Sequence, residues 1–231
     1  MKIDNIILYE FLKEKGITHF FHANTLTTAL TFIENNGLLS RGLVEKLGLN
    51  QTIQSSDDDD KRFDVWDDIF VDTTDLHGYF PRQNLYGPIL FKFNIEFLLE
   101  DTLDIWITKN NPIYWNNTLT NQDKYFQDIN DLQTNWDIFD RQRKMFTIRK
   151  ADKPILFNNL EKIIVDNPKV QLQDNTHLFN EVVKELNAKA EENNFFKGKF
   201  EERSCEASCF CKKNYLYDIG DENLRRLFLK N

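Results

Sequence analysis

The chain is short of the residues that mark several large protein classes. Its 231 residues include three cysteines, four histidines, five prolines and eight glycines. Cys205, Cys209 and Cys211 form a C-x3-C-x-C cluster. An odd count argues against a disulfide framework, and the paired C-x2-C spacing of a structural zinc site is missing. Buried or incidental thiols are the expectation, with no metal site. No run approaches the ~20 apolar residues of a membrane span, and Met1-Lys2-Ile3-Asp4 begins no signal peptide. A cytoplasmic protein with no membrane partner is therefore expected. No Pro/Gly/Ser-rich linker and no internal repeat divides the sequence, which predicts one domain over residues 1–231. There is no P-loop, G-x-S-x-G, H-E-x-x-H or EF-hand loop, and no G-x-G-x-x-G follows a strand pattern. A regular dinucleotide-binding winding is thereby disfavoured.

Apolar material is plentiful. The chain is 41% hydrophobic with 20 phenylalanines, enough to build a core and to exclude a disordered reading. The net charge of −8 argues against a broad nucleic-acid-coating surface. The charge is uneven, however. Acids crowd the stretch from Asp57 to Asp75, whereas Arg141, Arg143, Lys144, Arg149 and Lys150 place five cations in ten residues. Asp57-Asp58-Asp59-Asp60-Lys61 is read as a solvated loop.

Periodicity predicts a helix over Asp4 to Glu14, with Ile7, Leu8, Phe11 and Leu12 inward, stopped by Gly16. A β-branched and aromatic run from Ile17 to His22 suits a strand. Asn24 or Thr25 then caps a helix that closes at Gly37. A short helix over Val44 and Leu47, strands at Ile89–Phe93, Asp104–Thr108, Met145–Arg149 and Ile163–Val165, and a helix over Thr176–Glu192 follow. Asn121–Phe139 is read as partly helical, Cys209–Tyr217 as a final strand and Glu222–Leu229 as a closing helix. The mixture is α+β, a twisted and partly split sheet with flanking helices.

His19 and His22 sit where a strand hands over to a helix, beside unsatisfied N–H groups that suit an anion or a nucleotide phosphate. Arg82, Asn84 and Tyr86-Gly87-Pro88 precede the Ile89 strand. Arginine offers a planar fork for pyrophosphate and tyrosine a stacking face, although Gly-Pro is also routine turn punctuation. Asp67 to His77 is dense in aspartates.

In order along the chain, His19-Phe20-Phe21-His22-Ala23-Asn24-Thr25-Leu26, the helix, Gly37-Leu38-Leu39-Ser40, an arginine, and Leu76-His77-Gly78-Tyr79-Phe80-Pro81 resemble the DarT family of NAD-dependent ADP-ribosyltransferase toxins. These modify bases in nucleic acid. The block from Asp68 to Asn94 is most similar to an mRNA-modifying, phage-defence branch, and the similarity spans about Ile17 to Tyr217. It implies an ADP-ribosyltransferase-like split sheet, NAD as donor, single-stranded RNA or DNA as acceptor with mRNA favoured, and a cognate antitoxin, sometimes with a chaperone. It places His19, His22 and Asn24 against NAD, Ser40 and Arg41 in the pocket wall, and Tyr86 on a ring. Arg62 falls near the catalytic arginine, with Arg82 in competition. Arg143 and Arg149 would meet phosphates of NAD or nucleic acid.

One departure matters. The family places a catalytic glutamate where this chain has Met145, on the strand face shared by Arg143, Thr147 and Arg149. Asp72, Asp75 or Glu161 would have to supply the carboxylate, with Asp75 entered beside the arginines as catalytic. Otherwise the reaction needs only positioning and charge, or the site binds without turnover. The rival readings are an NAD glycohydrolase, an inactive NAD- or nucleic-acid-binding protein, and a metal-dependent nuclease built on Asp68, Asp72, Asp75 and His77.

Overall fold

The computed structural model describes residues 1–77, 86–100, 103–138 and 145–230. In chain order the elements begin α1 (Asn5–Glu14), β1 (His19–Asn24), α2 (Leu26–Glu34), β2 (Gly37–Leu38), α3 (Arg41–Lys46), α4 (Asp57–Arg62), β3 (Ile69–Val71) and β4 (Ile89–Asn94). They continue β5 (Ile105–Ile107), α5 (Asn121–Lys124), α6 (Ile129–Asn135), β6 (Phe146–Ile148), β7 (Ile155–Leu156), β8 (Leu160–Asn167), α7 (Leu178–Glu192), β9 (Phe200–Ser204), α8 (Phe210–Lys213) and α9 (Gly220–Phe228).

The fold is α+β. A four-stranded sheet runs β1-β4-β8-β9 and a three-stranded sheet runs β3-β6-β5, with β2 and β7 forming a small ribbon. Every pairing is antiparallel except β8 with β9. An isolated bridge between Phe21 and Asp72 joins β1 to the chain just beyond β3, so the two sheets continue one another across a split. Rings seal the inner side of that split: Phe20 of β1 lies 5.1 Å from Phe146 of β6, and both are fully buried. Each such side chain contributes roughly 1.5–3 kcal/mol through burial. α2, α7 and α9 complete the same core with Leu30, Val182, Leu186, Leu227 and Phe228.

Local chemistry explains most of the boundaries. Asp4 caps α1 by accepting from the backbone N–H groups of Ile6 and Ile7, and Gly16 ends it at φ 73°. Ile7, expected inward, is exposed, because the buried stripe of α1 is Leu8, Phe11 and Leu12. The acidic run expected as a loop is the first turn of α4, where four aspartates sit at the positive end of the helix dipole. The expected strand at Cys209–Tyr217 is helical instead. α8 leads into a π-turn over Asn214–Asp218 that buries Cys211 and Tyr215, so alternation there arose from helical packing. β9, Phe-Glu-Glu-Arg-Ser, was not foreseen. It is a half-exposed edge strand without an apolar face to read.

Candidate active-site face

Strand pairing sets the site. Along β8, Lys162 pairs with Lys92 and Leu160 with Phe93, which leaves Glu161 as an extra residue in a bulge. A bulge bends the strand and re-aims a side chain. Glu161 Oε2 accepts from His19 Nε2 at 2.6 Å, and Glu161 Oε1 accepts from Lys92 Nζ at 2.7 Å. Thr18 Oγ1 lies 2.8 Å from the other ring nitrogen of His19, so the ring is held from both ends. The Lys92 ammonium, aided by His19, keeps the Glu161 carboxyl below the usual glutamate range. The group is therefore an anion at neutral pH, and it remains partly open to solvent.

His22 does not share that face. Side chains alternate along a strand, so residues three apart point to opposite sides. The His22 ring turns inward, 5.8 Å from the Phe32 ring, and donates from Nδ1 to the Phe70 carbonyl at 2.6 Å. Burial pulls its pKa down to about 4, against the raising effect of that bond, so the ring is neutral. Asn24 is likewise buried, and its side-chain NH2 has no hydrogen-bond partner among the described residues. The start of α2 is also enclosed. Thr25 accepts from Thr28 N–H and meets Thr52 Oγ1 at 2.7 Å. Gly87, at φ 126°, closes over the junction, where a Cβ would stand 2.2 Å from the Asn24 carbonyl. The expected phosphate seat at this helix start is thus filled by the protein's own atoms. Gly87 in turn brings the half-exposed Tyr86 to the end of β1.

The carboxylates named beside Glu161 divide. Asp72 pairs with Phe21 across the split, so its side chain lies on the same side of the sheet as Phe21 and His19. Burial pushes its carboxyl up to about 7. Asp75 accepts from the Arg203 guanidinium and caps His77 N–H, which ties it to β9. Asp68 is wholly buried beneath Arg149. The acids of the nuclease reading therefore answer to different partners and do not converge.

The same side of the three-stranded sheet carries Phe70 and Trp106, covered by Phe63, Val65, Trp115 and Tyr125. A cleft of about 330 Å³ opens at the rim of this minor cluster, lined by Arg62, Phe63, Asp64, Asn117, Asn121, Lys124, Tyr125 and Arg149. Two arginines singled out from the sequence thus meet here. Arg62 is half-exposed and pairs with Asp59 at 2.7 Å. Arg149 is held by Asp68 Oδ2 at 2.5 Å and Tyr125 OH at 3.1 Å, with its guanidinium 5.0 Å from the Trp106 ring. Lys124, a lone lysine with no motif around it in the sequence, stands 5.3 Å from the Phe63 ring. On the strand face expected around Met145, Thr147 is fully buried beneath the minor cluster, whereas Met145 and Arg149 stay partly exposed.

Ser40 and Arg41 are both engaged by groups of the fold. Ser40 caps α3 and donates to the Ala151 carbonyl at 2.9 Å. Arg41 holds Asp57 Oδ2 at 2.8 Å and the Thr52 carbonyl at 3.0 Å over the Trp66 ring. Arg82 and Arg143 lie outside the described residues. Neither a protein-family model nor a curated protein matches this chain. Among the described residues no helix is long and apolar enough to cross a membrane.

Proposed function

We propose that this chain is an ADP-ribosyltransferase that moves ADP-ribose from NAD to a base nitrogen of a single-stranded nucleic acid, RNA ahead of DNA. The observation that carries this reading is the 2.6 Å contact between His19 and Glu161. The bulge of β8 presents a carboxylate opposite the first histidine of the DarT-like motif, a role that Met145 cannot fill. His19 is the NAD-contacting group, and Glu161, with Lys92 beside it, faces the ribose. Tyr86 stacks on a ring of NAD at the end of β1. The bond from ribose C1′ to the nicotinamide nitrogen breaks, its electron pair neutralising the pyridinium, while the base nitrogen bonds to C1′. The anionic Glu161 stabilises positive charge on the ribose in the transition state. Asp72, titrating near neutrality, is suited to accept the proton that the base nitrogen releases. The acceptor strand lies in the cleft of Arg62, Lys124 and Arg149, with Phe63 and Tyr125 as ring partners.

The test is incubation of the purified protein with labelled NAD and single-stranded RNA or DNA. Label on nucleic acid is expected, with Glu161→Gln slowing transfer by about 10²–10³-fold at unchanged thermal stability. Free labelled ADP-ribose without nucleic-acid label would reassign the activity to hydrolysis. No turnover with NAD still bound would make it a binding protein. Full activity in Glu161→Gln would overturn the role given to Glu161.

A further inference from the structure

The three cysteines do not lie idle in the core. His77, from the segment after β3, meets them at the end of β9 and the start of α8. Its Nε2 stands 3.1 Å from Cys209 Sγ and 3.4 Å from Cys211 Sγ. Cys211 Sγ is in turn 3.0 Å from Cys209 Sγ and 3.2 Å from Cys205 Sγ. All four donor atoms lie within 4.8 Å of one another. We propose that His77, Cys205, Cys209 and Cys211 form a structural zinc site.

Three independent features support this assignment. The first is the donor set. Three thiolates and one imidazole make a Cys3His set, a standard closed tetrahedral zinc environment, with bonds of ~2.3 Å to sulfur and ~2.0 Å to nitrogen. Such bonds place the donors about 3.5–3.8 Å apart, so only small shifts would be needed around an ion. A disulfide, in contrast, needs sulfurs at ~2.0 Å and would leave one of three cysteines unpaired.

The second feature is the orientation of the imidazole. His77 Nδ1 faces both carboxylate oxygens of Asp166, at 3.2 and 3.3 Å. The carboxylate accepts Nδ1–H, which leaves the Nε2 lone pair directed at the sulfurs. A carboxylate behind a histidine is the usual second layer of a zinc site, because it fixes the tautomer and raises ligand basicity. Asp166 is itself buried and fixed by Arg203 Nε at 2.7 Å and Tyr215 OH at 3.4 Å.

The third feature is placement. Cys205 follows β9 directly, and its N–H donates to the Asn167 carbonyl at the end of β8. Cys209 is the N-cap residue of α8, and Cys211 lies within that helix. One ion would therefore tie together the β3 segment, the β8–β9 edge and α8. Cys205 and Cys211 are buried and Cys209 half-buried, which suits a closed site without an open coordination position. The role is structural, and none of the four donors is among the groups given to the proposed transferase chemistry.

The test is metal analysis of the full chain, purified without chelator and with its thiols kept reduced. One zinc per chain is expected, displaceable by cobalt with the intense visible bands of a tetrahedral thiolate site. Asp166→Asn should weaken zinc affinity about 10–100-fold, and Cys209→Ser should lose stoichiometric zinc. Because a cysteine variant can fail to fold, thiol labelling of the native chain provides a second measurement. The cysteines should react slowly with zinc bound and quickly after strong chelation. Three reactive thiols and no bound metal under excess zinc would overturn the proposal. So would a mass two hydrogens lower under non-reducing conditions, or zinc retained by Cys209→Ser.

Discussion

Replacing Arg149 with methionine tests how the second sheet is anchored. Arg149→Met keeps an apolar stem over Trp106 but removes the guanidinium from Asp68, whose side chain is fully buried, and from Tyr125 OH. Breaking a buried ion pair from one side strands the other charge and costs about 3–5 kcal/mol. For a domain of this size that corresponds to a fall in Tm of roughly 6–20 °C. The loss should depend on pH. Burial already raises Asp68 from 3.8 to about 6, although Lys150 N–H and Arg149 work against it. Between these values the folded state binds more protons than the unfolded state. The contribution of Asp68 to stability is therefore greatest at low pH and is lost as pH rises through about 6. Without Arg149 the carboxyl rises further, so the variant can relieve its stranded charge by protonation at pH 5 but not at pH 8. Denaturant unfolding at the two pH values should show the larger loss at pH 8. A loss below about 1 kcal/mol at pH 8, or equal losses at both, would refute the argument. Asp68→Asn added to Arg149→Met should recover part of the stability, which a merely bulky Arg149 would not explain.

His22 titrates at about 4 when folded against 6.5 unfolded, so the unfolded state takes up the proton first and stability should fall by about 3 kcal/mol as pH drops from 6.5 through 4. Thermal melts should show that slope in the native chain and a flatter one in His22→Phe. Gly87→Ala should destabilise by at least about 1–3 kcal/mol from backbone strain at φ 126°, with the Asn24 clash added, and equal melts for the two proteins would contradict it. Lys124→Ala should weaken single-stranded RNA binding and reduce its salt slope by about 0.7, with stability unchanged within about 0.5 kcal/mol. An unchanged slope would remove Lys124 from the proposed acceptor cleft.

Local signals in the sequence marked many elements of this protein. The strand at Ile89–Phe93, the amphipathic α7 and the capped starts of α1 and α2 arise from side-chain period and capping chemistry, which act within a few residues. The α+β class and the interest of His19 followed from the same signals. Tertiary pairing decided the rest. The strand period over Ile17–His22 already turns His19 and His22 to opposite sides, but only the fold decides that His19 meets Glu161 while His22 is enclosed against Phe32 and Phe70. The sequence could not prefer Glu161 over Asp72 and Asp75, because its aim comes from a bulge against Lys92 and Phe93, about 70 residues earlier in the chain. Arg62 and Arg149 share a cleft only because Phe63 and Tyr125 pack over the second sheet. The cysteine cluster makes the point most clearly. C-x3-C-x-C appeared incomplete because its fourth donor, His77, lies 128 residues before Cys205. Side-chain chemistry and local period are written in sequence order, whereas convergence of donors and charges depends on which strands pair, and only the folded chain decides that.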